Sequence, residues 1–191
     1  MINRDFFKVV VAPSDEPITA AEVKEFSRID TTVEDSLITS FIEAVRQSTE
    51  LYLGRSLITQ TIDYYFDYWP EDGLIRLPKP PLISVTSIVA IDEDGTEETI
   101  SSGNYFVIPE TIPGEVKLKS GLSGFTITPR SKAGYRAKCK CGYGYSAEDV
   151  PYSIRQGMIQ WVAYIYETRN FQPEPPPEAL GFLSFFKVLN V

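Results

Sequence analysis

The sequence predicts an α+β fold: a small helical bundle of two N-terminal helices and one C-terminal helix, an inserted antiparallel β-module and an extended C-terminal tail. Three observations carry this reading. Apolar residues recur at helical spacing between Val33 and Leu53. After Gly54 the pattern switches to alternation, and helical period returns after Val150-Pro151. The expected boundaries are 1–55 and 148–171 for the helical core, 56–147 for the β-module and 172–191 for a Pro-rich, apolar tail.

The first helix starts at Thr19, where Thr19 and Glu22 form a Ser/Thr-x-x-Glu capping box; Val23 and Phe26 face one way and Ile29 follows. The second has a weaker cap, Thr32 with Asp35. Val33, Leu37, Phe41, Val45 and Tyr52 make its stripe, and Ile38, Ile42, Thr49 and Leu53 widen it. Gly54 stands where a helix C-terminal glycine belongs. In the strand from Ile58 to Tyr68, Ile62, Tyr64 and Phe66 take the buried face and Thr61, Asp63 and Tyr65 the wet one. Further strands are expected at Leu74–Leu77, Leu82–Ile91, Thr96–Ile100, Asn104–Ile108, Glu115–Lys119, Phe125–Thr128 and Tyr135–Cys141, with Asp94-Gly95 as a hairpin signal. The last helix carries Ile154, Met158, Trp161 and Ile165 as its stripe, with Val162 and Tyr166 as candidates to widen it, and ends near Arg169-Asn170. Four prolines between Gln172 and Pro177 then read as an extended spacer before the apolar stretch Gly181 to Leu189.

Composition narrows the function. The chain has 191 residues, 43% hydrophobic, enough for a real core. Its net charge of −8 points away from general nucleic-acid binding, which needs cations against phosphates. The absence of histidine removes the commonest general base and the usual serine- and cysteine-hydrolase arrangements. Two cysteines cannot make a disulfide framework. The apolar run Phe6 to Val11 is broken by Lys8, too short to span a membrane, and lacks the form of a signal peptide, so a cytoplasmic origin is expected.

No catalytic, cofactor or metal site emerges. Asp63, Asp67, Glu71 and Asp72 beside Tyr64, Tyr65, Tyr68 and Trp69 could suit carbohydrate, but Asp63 and Asp67 lie roughly 13 Å apart on an extended chain, and a solvated strand face is the simpler reading. Asp92-Glu93-Asp94-Gly95 reads as an acidic hairpin between strands, not a calcium loop between helices. Cys139 and Cys141 point the same way on one strand, and a zinc site would need a second pair.

The charge distribution is more informative. No acidic residue lies between Glu115 and Glu148, while Lys117, Lys119, Arg130, Lys132, Arg136, Lys138 and Lys140 do. Head-to-tail self-association, contact with packaged DNA and a solvated strand edge that resists aggregation all fit this polarity. The apolar tail either packs back on its own domain or docks on a partner.

The ordered motifs resemble the phage head–tail connector (adaptor) proteins of the HK97 gp6-like class, in the branch with an inserted β-module that also occurs in prophages and gene transfer agents. The resemblance rests on Ile18 to Lys24, Asp35 to Ile38, Glu50 to Thr61, Ile75 to Val85, Gly142-Tyr143-Gly144, Val150 to Gln156 and Tyr166 to Arg169. It covers about residues 18–170. The chain departs from the family at Ala137 to Cys141, where a Val/Thr-rich strand is usual, and in its terminal segment.

The resemblance implies a non-enzymatic virion protein, made in the bacterial host cytoplasm and placed in the neck between capsid portal and tail. Such proteins form a ring, typically dodecameric, beneath the portal. The ring extends the DNA channel without sequence-specific binding and presents a platform to a stopper, head-completion or tail neck protein; no membrane is involved. On this view Leu180, Phe182, Leu183, Phe185 and Phe186 are the expected portal contacts, and Arg130, Lys132, Arg136, Lys138 and Lys140 the expected subunit contacts. The alternatives are a stopper or tail-completion role and, further off, a carbohydrate-binding or carbohydrate-active protein.

Overall fold

In a computed structural model, residues 6–119 and 126–188 are described. The chain divides into two compact units. One is built from residues 13–58 and 143–191 and is helical; the other, from residues 1–12 and 59–142, is a β unit.

In the helical unit, α1 (Ala20–Ser27) begins at the expected capping box, with both reciprocal hydrogen bonds made between Thr19 and Glu22. α2 (Asp35–Leu53) is capped two residues beyond the expected Thr32. Its N-cap is Glu34, which makes no side-chain cap bond. The stripe it buries is Ile38, Ile42, Val45, Thr49 and Leu53, while Val33 precedes the helix and is 85% exposed. Phe26 is likewise half exposed, not part of the core. Gly54 ends α2 at φ +67°, the left-handed conformation that glycine takes without strain. α3 (Tyr152–Thr168) buries Ile154, Met158, Trp161 and Ile165 as expected; of the two candidates to widen the stripe Val162 is buried and Tyr166 only partly, and the buried set meets the α2 stripe in one apolar cluster.

The tail corrects the expectation of an extended terminal segment. Pro177 sits in the first turn of a fourth helix, α4 (Pro177–Leu183), where its missing N–H costs nothing, and a 3₁₀ turn at Ser184–Phe186 follows. Ala179 and Leu183 are fully buried in the helical core. The rest of the tail is fastened by its backbone: the Val188 N–H donates to the Leu53 carbonyl at 2.9 Å, and the Arg55 Nε donates to the Phe186 carbonyl. The Lys187 ammonium lies 4.5 Å from the Tyr52 ring centre. Leu189 of the expected apolar stretch lies outside the described residues.

The β unit holds a five-stranded and a three-stranded antiparallel sheet. Its first strand, β1 (Phe6–Val11), comes from the N-terminus, which the sequence reading assigned to the helical core. It pairs with β2 (Gln60–Phe66) in the register Phe6↔Tyr65 and Lys8↔Asp63. The remaining strands are β3 (Leu74–Arg76), β4 (Leu82–Ile91), β5 (Glu97–Thr99), β6 (Tyr105–Ile108), β7 (Glu115–Leu118) and β8 (Tyr135–Cys141). The larger sheet runs β1-β2-β8-β4-β5 and the smaller β3-β7-β6. The strand expected over Phe125–Thr128 does not form at residues 126–128; Phe125 lies outside the described residues. Instead the Glu98 carboxylate takes the N–H and hydroxyl of Thr126 and the N–H of Ile127. Ile62, Phe66, Ile88, Ala137 and Cys139 of the larger sheet join Ile75, Val116 and Leu118 of the smaller in one apolar cluster. Phe66 is at its centre, 5.1 Å from the Tyr135 ring and 5.5 Å from Trp69.

Candidate functional site

Two surfaces carry the residues singled out in the sequence, one on each unit. On the helical unit the tail residues divide by helical geometry. Leu183 turns inward against Gly157 of α3, so it holds the tail down and is removed from the set of expected partner contacts. Phe186 is half-buried against the same core. Leu180, Phe182 and Phe185 face solvent, Phe185 at 89% exposure. Three large apolar side chains are thus exposed on a segment that is itself anchored.

On the β unit, β8 alternates as expected. Ala137, Cys139 and Cys141 point into the core, and Arg136, Lys138 and Lys140 point out. The two outward ends differ in use. The Arg136 guanidinium makes a paired contact with Glu97 of β5, at 2.7 and 2.6 Å, and lies 3.8 Å from the buried Asp63 carboxylate. Burial works against its charge, but its hydrogen bonds to Tyr65 and Glu97 and the nearby carboxylates outweigh this and strengthen its basicity. Arg130 donates to the Ala133 carbonyl and Lys132 lies 3.7 Å from Asp67. These three cations serve the unit's own structure. Lys138 and Lys140 form no ion pair among the described residues, and the register places Lys8 of β1 across Asp63 from Lys138. Opposite them on β4 stand Ser87 and Ser84, and on β2 Thr61 faces Lys140. The result is a face of lysines and small hydroxyls. Lys8 was not identified from the sequence; its signal was the interruption of the Phe6-to-Val11 run.

The candidate carbohydrate residues are employed elsewhere. Asp63, expected on a wet face, is buried beside Arg136, and Asp67 accepts the Ala133 N–H at 2.8 Å. Asp72 caps the turn into β3 by accepting the Leu74 N–H. Asp92 takes the N–H groups of Asp94 and Thr96, which closes the acidic hairpin on itself. Cys139 and Cys141 are free and buried. Their mutual hydrogen bond and their burial push the Cys139 thiol far up, which leaves it protonated and unreactive. Among the described residues no group of three or more His, Cys, Asp or Glu could hold a metal ion, and no helix is long and apolar enough to cross a membrane.

The sequence profile for the phage gp6-like head–tail connector protein matches residues 17–117. Among solved structures, a chain in the virion of a native gene transfer agent (GTA) particle superposes with a TM-score of 0.80 at 19% identity, covering 97% of each chain. A chain in the neck of an empty GTA particle, computed with C6 symmetry, gives 0.79 at 19% identity over the same 97% of each. One in the neck of a native GTA particle, computed with C12 symmetry, gives 0.73 at 17% identity, again over 97% of each. No curated protein matches the chain.

Proposed function

Because the chain belongs to the phage gp6-like head–tail connector family, we propose that it is a ring-forming neck component of a tailed phage, prophage or gene transfer agent particle. Its role is structural, not enzymatic. The observation that carries the reading is the family match across 17–117 joined to a shared fold over 97% of the chain with chains of GTA neck particles. In this role the ring sits beneath the portal, lengthens the DNA channel and offers a platform to a stopper, head-completion or tail neck protein. DNA passes through without sequence-specific contact. The helical unit is well suited to a wall that does not hold DNA: it carries fourteen acidic residues against seven basic ones, while the β unit is nearly balanced. Leu180, Phe182 and Phe185 are the portal-facing contacts.

The test is the native mass of the purified chain, alone and mixed with the portal protein of the same particle. A closed multimer of many copies, formed alone or on the portal, is the expected result. A monomer that never associates at any salt concentration rules the ring role out.

A further inference from the structure

We infer that the lysine face of the β unit is an interface to a second copy of this chain, and that it receives the acidic corner between α1 and α2 of that copy. The inference rests on the ring-forming role above and names the surfaces that would build it.

The lysine face is built by three strands. Lys8 of β1 and Lys138 of β8 stand on either side of Asp63 in the central β2, and Val11 of β1 is in register with Thr61, which in turn pairs with Lys140 of β8. Val11 is more than half exposed. Asp63, the carboxylate in the middle of this face, is buried and lies 3.8 Å from Arg136, so it does not neutralise the lysines outright. Their neighbours on β4, Ser84 and Ser87, are small, and Lys8 and Lys140 are exposed while Lys138 is half-buried.

The complementary surface lies at the end of α1. Glu25 and Asp30 are exposed and make no ion pair among the described residues, and between and beyond them Phe26 is 50% and Val33 85% exposed. Lys24, the nearest cation on α1, is occupied at 2.7 Å by Asp35; Arg28 is the remaining cation there. Acids with two bare apolar side chains match lysines with a bare Val11 in both charge and wetness. Charge complementarity also favours the helical unit as occupant, since it holds nearly all of the chain's net negative charge. A basic patch meeting an acidic patch at another place on the same molecule is a heterologous contact, the kind that closes into rings.

A charge swap tests this. Lys138→Glu with Lys140→Glu, and separately Glu25→Lys with Asp30→Lys, are introduced, Lys138 being half-buried and the other three positions exposed, and melting by circular dichroism checks that each folds. Native mass is then read for the full chain alone and with the portal protein. Each double variant is expected to lose the ring, and the combination of all four changes to regain it. Wild-type rings are expected to weaken at about 0.5 M salt, where screening shortens to a few ångströms. If wild type assembles and the folded lysine variant assembles equally well, the interface is wrong while the ring role stands. If the lysine variant loses the ring, the combination does not restore it, and binding to a short DNA duplex falls in parallel, the face belongs to a polyanion and the inference fails. If wild type forms no ring, the functional reading itself has failed.

Discussion

Gly157 of α3 lies so close to Leu183 of α4 that a methyl group on its Cα would come within 2.8 Å of the Leu183 Cδ2 and Cγ atoms. The absence of a side chain there is what lets the tail helix seat on the core. Gly157→Val is expected to push α4 off its seat and cost about 1–3 kcal/mol, and Leu183→Ala about 2–5 kcal/mol. Thermal melts check both. Removing residues 172–191 lowers the melting temperature as well, because Ala179 and Leu183 are core residues. An unchanged melt of the truncated chain would overturn the view of the tail as part of the fold.

Phe185 separates binding from folding. It is almost fully exposed, so Phe185→Ser leaves the melt within about 0.5 kcal/mol of wild type. Portal association, followed by native mass or co-sedimentation, is expected to drop. Equal association would remove Phe185 from the portal-facing contacts.

Arg136 is the wrong residue for probing an interface. Its loss frees Glu97 and takes from the buried Asp63 carboxylate the ion pair that Arg136 makes with it. Arg136→Glu is therefore expected to unfold the β unit, at a cost of several kcal/mol, on the order seen when one partner of a buried pair is removed. Lys140→Glu, on the same strand face, is expected to leave stability unchanged. Urea melts of the two variants side by side distinguish the positions.

The start of α1 makes the helical unit acid-sensitive. Burial opposes ionisation of Glu22, but hydrogen bonds from the Thr19 N–H and hydroxyl, at 2.7 and 2.9 Å, and from Arg155 hold its carboxyl below the ordinary 4.5. The folded state thus binds this proton more weakly than the unfolded one. The stability that ionised Glu22 contributes is complete above pH 4.5 and is lost as pH falls through its lowered folded value. Glu22→Gln is expected to lower stability near neutral pH and to make the acid limb of a urea-midpoint-against-pH curve shallower. Parallel curves for the two proteins would count against the assignment.

What was legible in the sequence followed from local signals. The capping box at Thr19, the glycine after Leu53 and the alternation through β8 each depend on residues a few positions apart, and each stands in the structure. What was hidden depended on distant pairing. Phe6 to Val11 has no strand signature of its own beyond apolar character, and its role becomes visible only across from β2. Alternation placed Arg136 with Lys138 and Lys140, but its partner Glu97 lies 39 residues away and comes within reach through the register of β4 on β5 and β8. The prolines before α4 read as a spacer because three of them in a row also suit an extended chain; the helix they start is fixed by Leu183 finding Gly157.

The position of β1 has a consequence for how the protein is made. The ribosome releases Phe6 to Val11 well before its partner, since Phe6 pairs with Tyr65, and β2 finds its other neighbour only when Tyr135 to Cys141 has emerged. Between those moments the whole first half of the helical unit is synthesised, while an apolar strand waits with no ladder to join. Such a waiting strand is exposed to capture by other nascent chains. Yield of soluble protein should therefore respond to translation speed and to chaperone supply more than the stability of the finished fold would suggest.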